Sequence, residues 1–106
     1  MEKLIDGKLY DTEQAELITE VYPNGTRDLS NFRFLREQLY VTENGSYFIA
    51  GKGGAKTKYS QTAAGGGTTG GKDIRAVTEK QAFQWCQRHD AVETAREHFP
   101  QHIEPA

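Results

Sequence analysis

The residues with the clearest capacity for chemistry lie in one segment, Gly51–Lys72, which we call the glycine–lysine segment. It reads GKGGAKTKYSQTAAGGGTTGGK and contains four lysines and no acidic residue. The rest of the chain holds the other 9 basic residues and all 15 acidic ones, so the charge is unevenly distributed. Glycine leaves backbone N–H groups accessible, and lysine supplies ammonium groups. Both kinds of group favour phosphate or carboxylate partners. The segment is therefore predicted to meet an anionic partner.

Part of this segment matches the pattern of a nucleotide-binding P-loop, but the match is incomplete. Gly66–Lys72 fits G-x-x-x-x-G-K, whereas Asp73 stands where a Ser or Thr hydroxyl should bind magnesium. A P-loop also opens a helix, and this stretch precedes a predicted strand. Gly51–Gly54 is better placed, directly after a predicted strand, and its glycines can form an anion-binding nest. The alternative for both stretches is a flexible loop.

Cysteine and histidine residues near the C-terminus suggest two further chemistries. Cys86 and His89 are three residues apart on a predicted helix, and His98 and His102 are four apart, which are ligand types that zinc uses. However, Pro100 interrupts the second pair, and Cys86 falls on an apolar stripe where a free cysteine behaves as a small hydrophobe. A catalytic thiolate needs an exposed, electropositive setting that this stripe does not supply. We expect no metal, no cofactor and no enzymatic activity.

Cations and an aromatic ring occur together in a way that is typical of single-stranded nucleic-acid binding. The residues concerned are Lys56, Lys58, Tyr59, Lys72 and Arg75. The sequence pI of about 5.9 is below the usual basic footprint of nucleic-acid-binding domains. A solvated lysine loop is the alternative.

The length of 106 residues predicts one small domain spanning residues 1–106. The single Cys86 excludes an internal disulfide and favours a reducing compartment. No apolar run approaches the roughly 20 residues of a membrane span, and the first residues lack the pattern of a signal peptide. We therefore expect a soluble protein of the cytoplasm with no membrane partner.

The first third of the chain predicts a hairpin followed by a helix. Lys3–Tyr10 alternates around Asp6-Gly7, a dipeptide that supplies the positive φ values of a two-residue turn and brings Leu4 opposite Leu9. Asp11 with Gln14 matches a capping pattern for a helix that ends at Pro23. Phe32–Leu35 predicts a weak strand.

The middle of the chain predicts the clearest hairpin. Leu39–Thr42 and Tyr47–Ala50 flank a turn centred on Asn44-Gly45, which would place Tyr40 opposite Ile49 and Leu39 opposite Ala50. Tyr40 and Tyr47 would then share a half-covered face that could act as a contact surface.

The last third predicts a strand and two helices. Asp73–Val77 alternates as an edge strand, and Thr78 with Gln81 forms a capping box for a helix that ends near Asp90. Asp90 with Glu93 predicts a second capping box, and Pro100 ends the second helix. The tail, residues 100–106, is predicted to fray. Together the elements predict an α+β domain in which helices cover one face of a small antiparallel sheet of four to six strands, with the long glycine-rich loop 51–72.

Four stretches resemble a family of small, uncharacterised bacterial proteins often encoded on prophages and plasmids. They are Lys8–Thr12, Leu39–Phe48, the Gly51–Tyr59 pattern G-x-G-G-x-x-T-x-Y, and Asp73–Arg75. The chain departs from that family at Lys56, where Met or Ser is commoner, and in the higher glycine content of Gly65–Gly71. The resemblance implies no catalytic residues.

Small proteins of mobile elements are frequently inhibitors of host defence, anti-CRISPR proteins among them. This company, together with the small size, the uneven charge and the missing catalytic residues, favours a non-enzymatic protein of the bacterial cytoplasm. Such a protein would block a host protein or ribonucleoprotein complex by covering a surface. A small nucleic-acid-binding regulator is the alternative. The predicted binding residues are Lys52, Lys56, Lys58, Tyr59, Lys72, Arg75, Tyr40 and Tyr47.

Overall fold

A four-stranded antiparallel sheet forms the centre of the protein, and a computed structural model describes all 106 residues. The elements in chain order are β1 (Glu2–Ile5), β2 (Lys8–Asp11), β3 (Glu16–Val21), β4 (Leu35–Val41), β5 (Tyr47–Gly53), β6 (Gln61–Thr62), β7 (Thr68–Thr69), β8 (Gly71–Val77), α1 (Glu79–Arg88), α2 (Val92–His98) and a 3-10 turn (Pro100–His102). The central sheet has the order β3-β4-β5-β8, and β1–β2 and β6–β7 are separate hairpins. The architecture confirms the predicted α+β class.

The two helices cover one face of the central sheet. Leu39 and Ile49, which are paired across β4 and β5, pack against Trp85, Cys86 and Phe99. All five side chains are buried. Burial of this apolar surface drives the helices onto the sheet. Trp85 of α1 lies fully inside the core.

The β1–β2 hairpin covers part of the opposite face. Tyr10 of β2 packs edge-on against Phe48, with ring centroids 5.5 Å apart, and Tyr40 stacks on the same ring at 5.1 Å. Ala50 and Ile74 complete this second buried cluster. The hairpin has the predicted turn, because Asp6 and Gly7 both have positive φ and Leu4 lies opposite Leu9. The sheet therefore has two apolar faces and two cores.

The helix predicted from Asp11 to Pro23 is wrong, because this stretch contains strand β3. The Asp11 carboxylate caps a tight turn by accepting the Glu13 N–H at 2.9 Å, and no helix follows. A bulge between Leu17 and Thr19 shifts the alternation of β3, so that Ile18 and Val21 both pack on the helix-side core. Their three-residue spacing imitates a helical period.

The central hairpin is confirmed, but its predicted register is wrong by one residue. The loop has three residues, Glu43–Gly45, because Thr42 and Ser46 close it and only Gly45 has positive φ. Tyr40 therefore pairs with Phe48, and Val41 pairs with Tyr47. The weak strand predicted at Phe32–Leu35 is also wrong except for Leu35, because an Asx turn precedes β4.

The one-residue difference in register reverses the face on which each β5 side chain lies relative to the side chains of β4. Tyr40 is buried under the β1–β2 hairpin, whereas Tyr47 is half-buried with its ring 5.1 Å from Phe99 on the helix side. The prediction that Tyr40 and Tyr47 share one contact face is therefore wrong.

The C-terminal part follows the prediction with one exception. Strand β8 and α1 form as expected, and the Thr78–Gln81 capping box is complete. Asp90 does not cap α2. It adopts φ 54°, and the next residue, Ala91, donates its N–H to Cys86 O, which closes the end of α1.

No helix of the chain combines the length and apolar character of a membrane span.

The glycine–lysine segment is not one structureless connection. Gly51–Gly53 belongs to β5, Gly71–Lys72 belongs to β8, and β6 pairs with β7 between them. The fraying expected of residues 100–106 stays a prediction. Within the tail, His102 Nε2 lies 2.9 Å from Glu79 Oε2.

The two-core arrangement predicts that Phe48→Ala lowers the free energy of unfolding by about 3–5 kcal/mol. Phe48 is fully buried between two tyrosine rings, so its removal leaves a cavity in the hairpin-side core. Urea unfolding followed by circular dichroism measures the loss. Phe32→Ala is the matched control, because Phe32 is 64% exposed and should change the free energy by less than about 0.5 kcal/mol. Equal losses in the two variants would contradict the assignment of Phe48 to the core.

Candidate functional site

A buried carboxylate, Glu37, is the centre of the largest polar network in the protein. Its side chain is 1% exposed and lies on the helix side of β4. Donors surround both carboxylate oxygens, and no buried side-chain polar atom of the protein lacks a partner. The contacts to Oε2 are Tyr59 Oη at 2.5 Å, Lys58 Nζ at 2.9 Å and Arg75 Nη1 at 3.3 Å, and those to Oε1 are Trp85 Nε1 at 3.1 Å and His89 Nε2 at 3.5 Å.

Local strand geometry places this carboxylate. Along β4, Leu35, Glu37 and Leu39 share one face because side chains alternate with a period of two. Gly51 lies directly opposite Glu37 on β5, and a Cβ there would overlap the ring of Tyr59. The absence of a side chain at Gly51 lets Tyr59 lie on the sheet with its hydroxyl at Glu37. The glycine–lysine segment is thereby fastened to the sheet.

Hydrogen bonding decides the charge state of Glu37. Burial by itself raises the pKa of this carboxyl group, but the hydrogen bonds from Tyr59, Lys58 and Trp85 outweigh burial and hold the pKa at about 2, below the ordinary 4.5. Burial and the Glu37 carboxylate together raise the pKa of Tyr59, so its hydroxyl stays protonated and donates. Burial lowers the pKa of His89. Glu37 is therefore an ionised, fully engaged acceptor at neutral pH.

A second charged feature lies on the opposite face of the sheet. Arg36 pairs with Lys52, and Lys52 pairs with Lys72, on three adjacent strands. We call these three residues the cationic row. Arg36 Nε lies 3.7 Å from Glu20 Oε1, but Lys52 and Lys72 form no ion pair and are exposed. Like charges directly opposite each other destabilise a sheet, so the row gains stability when an anion binds across it.

A groove of about 600 Å³ runs beside the cationic row. Lys52 and Lys72 line it together with Gly53, Gly54 and the Thr68–Thr69 strand. Leu29 and Phe32, each 64% exposed, form its apolar side. The groove thus combines cations with an exposed aromatic ring, and it is large enough for a nucleotide-sized group.

We compared the chain with protein-family models, with curated proteins and with solved structures. None of them matches. The resemblance to small prophage and plasmid proteins therefore stays a prediction.

The structure distributes the predicted binding residues over several places. Lys52 and Lys72 lie in the row, Lys58, Tyr59 and Arg75 join the Glu37 network, and Lys56 is exposed without an ion pair. Tyr40 is in the hairpin-side core and Tyr47 borders the helix-side core. The hydroxyl of Tyr59 is bonded to Glu37 and its ring lies against Gly51, so Tyr59 does not offer the free stacking surface that the sequence suggested.

The anion-binding nest predicted at Gly51–Gly54 is wrong. A nest needs successive N–H groups turned to one side by alternating backbone conformations, and none of these glycines has a positive φ. The Gly54 N–H donates to Phe34 O at 2.8 Å. These glycines instead permit close packing, since a Cβ at Gly53 would overlap Thr57 and one at Gly54 would overlap the Phe32 carbonyl.

The cysteine and histidine residues that suggested other chemistry are separated by the fold. Cys86 is buried in the helix-side core, and burial raises the pKa of its thiol to about 11. His89 lies against Trp85, with ring centroids 4.8 Å apart, and His102 pairs with Glu79. No group of three or more His, Cys, Asp or Glu side chains is arranged to hold a metal ion.

Sequence reasoning missed Glu37 and Arg36. Both belong to the first half of β4, which was predicted to begin only at Leu39. The signal was present, because Leu35, Glu37, Leu39 and Val41 alternate and place a charged residue at an apolar position. A glutamate at such a position requires partners, and Lys58 and Tyr59 of the glycine–lysine segment supply two of them.

The Glu37 network predicts a specific dependence of stability on pH. The folded-state pKa of about 2 lies below the ordinary 4.5, so the stabilisation is fully present above pH 4.5 and disappears as the pH falls towards 2. Glu37→Gln should therefore lower the free energy of unfolding by about 2–3 kcal/mol at pH 7 and by much less near pH 2.

Urea unfolding of the parent and the variant between pH 2 and pH 7 measures this difference. Glu16→Gln is the control, since Glu16 is exposed on β3 and forms no ion pair. A Glu37→Gln difference that does not change with pH would contradict the ionised network.

Proposed function

We propose that this protein is a non-catalytic binding protein that holds the phosphate backbone of a single-stranded nucleic acid along its cationic row. The supporting observation is that Lys52 and Lys72 lie directly opposite each other, exposed and without ion pairs, beside a groove. Such a pair is unfavourable in the free protein and favourable next to phosphates.

The surroundings of the row favour a single strand. Phe32 is exposed at the side of the groove, where its ring can stack on a base. Gly53, Gly54, Gly70 and Gly71 line the groove, so part of its wall is bare backbone. Acidic residues elsewhere on the chain, which has a net charge of −2, confine the attraction to this end. Binding should therefore be local and sensitive to salt.

Lys52→Gln combined with Lys72→Gln should weaken binding to a fluorescent 20-nucleotide single strand, tested as DNA and as RNA. Loss of two phosphate contacts should reduce the slope of log K against log salt by about 1.4. Fluorescence anisotropy over a salt series measures both quantities. The melting temperature should change little, because exposed lysines contribute little to folding.

Lys8→Gln combined with Lys80→Gln is the matched control. Both lysines are exposed, on β2 and α1, and their removal changes the net charge equally. The proposal is contradicted if the two double variants bind alike, or if the parent binds neither strand.

A second candidate function is the inhibitor of a host nucleic-acid-handling or defence complex that the family resemblance implies. The exposed Leu29 and Phe32 favour it, because apolar side chains beside cations are typical of protein interfaces. The two candidates differ in their response to nuclease. A protein complex captured from nuclease-treated bacterial lysate by the parent, and lost with Leu29→Ser and Phe32→Ser, would favour the inhibitor. Capture that disappears with nuclease would exclude it.

A further inference from the structure

Three cations meet at a second cavity, of about 460 Å³, beside the edge strand β8. Lys58, Lys72 and Arg75 line this cavity together with the neutral donors Ser60 and Gln61. We call it the edge cavity. Lys72 and Gln61 also line the groove of the cationic row, so the two sites are continuous through these two residues.

The charges around the edge cavity do not balance. Lys58 and Arg75 both contact one carboxylate oxygen, Glu37 Oε2, and their side chains remain 52% and 42% exposed. Lys72 has no ion pair. Asp73 also lines the cavity, but its carboxylate is bound by Lys3 Nζ at 2.6 Å and accepts the Ile74 N–H. The cations exceed the carboxylates by two charges when Lys3 and Asp73 are both counted.

The Glu37 network fixes the position of Arg75. Its Nη1 atom lies 3.3 Å from Glu37 Oε2 and 3.5 Å from Tyr59 Oη, so one part of the guanidinium group is held by the protein. The remaining N–H groups are available at the half-exposed side. An arginine held in this way loses little conformational entropy when it binds an anion, and its planar fork suits phosphate oxygens.

We propose that the edge cavity binds a phosphate monoester, the terminal phosphate of a nucleic-acid strand whose backbone continues along the cationic row. This proposal rests on the proposed function. A terminal phosphate carries a charge of about −1.5 to −2 at pH 7, which matches the excess of two cations, whereas an internal diester carries only one charge. Ser60 and Gln61 supply the neutral donors that a third phosphate oxygen requires.

The experiment compares one 20-nucleotide single strand bearing a 5′-phosphate, a 3′-phosphate or two hydroxyl ends. The parent should bind one phosphorylated strand about tenfold more tightly than the hydroxyl strand, as anisotropy measures. Arg75→Gln and Lys58→Gln should each bring that ratio close to one while the hydroxyl strand still binds through Lys52. Lys80→Gln should keep the ratio. Circular dichroism checks that each variant is folded. If Arg75→Gln does not fold, Lys58→Gln alone tests the proposal, because Lys58 is the more exposed of the two side chains.

The outcomes separate this proposal from the proposed function. Equal binding of all three strands would overturn the terminal-phosphate site and leave single-strand binding standing. Failure of all three strands to bind would overturn both. Adenosine 5′-monophosphate, tested by competition, distinguishes the source of the phosphate. If it competes as tightly as the phosphorylated strand, the ligand is a free nucleotide and the strand-end assignment is wrong. If adenosine 5′-monophosphate competes much more weakly than the phosphorylated strand, the result supports a strand end held by both the edge cavity and the cationic row.

Discussion

The ionised carboxylate of Glu37, buried between the sheet and α1, is the interaction on which the rest of the structure depends. It accepts hydrogen bonds from Tyr59 and Trp85, which come from the glycine–lysine segment and from α1. An unpaired buried charge would cost several kcal/mol, so the carboxylate requires these elements to stay where they are. Gly51 is part of the same constraint, because its missing side chain makes room for the Tyr59 ring.

The network also divides the four cations of the groove and the edge cavity into two sets. Lys58 and Arg75 are positioned by Glu37, whereas Lys52 and Lys72 have no anionic partner. The first set is suited to recognising one group in a fixed place, and the second to holding an extended chain of charges. In the proposed function, Lys72 joins a site for one terminal phosphate to a site for an extended backbone. A fold with an acidic overall composition thus presents a group of cations in one place.

Local chemistry predicted much of the fold, and long-range pairing determined the rest. The Asp6-Gly7 turn, strand β8 and the Thr78 cap depend on neighbouring residues and formed as predicted. The β3 bulge and the three-residue loop after Thr42 depend on partners across the sheet, which the sequence does not show. The lysines of the site were predicted from composition alone. Their division into two sets was not, since it depends on Glu37, a residue 14 positions before the segment begins.

Amide hydrogen exchange in Tyr59→Phe tests the central claim, that Glu37 fastens the glycine–lysine segment to the sheet. This variant removes only the hydroxyl that binds Glu37 and keeps the ring over Gly51. The account predicts faster exchange at the bonded amides of Lys56, Thr57 and Ser60, with little change at the central strand amides of β5. Unchanged exchange at the three segment amides would contradict the account, because the segment would then be held without Glu37.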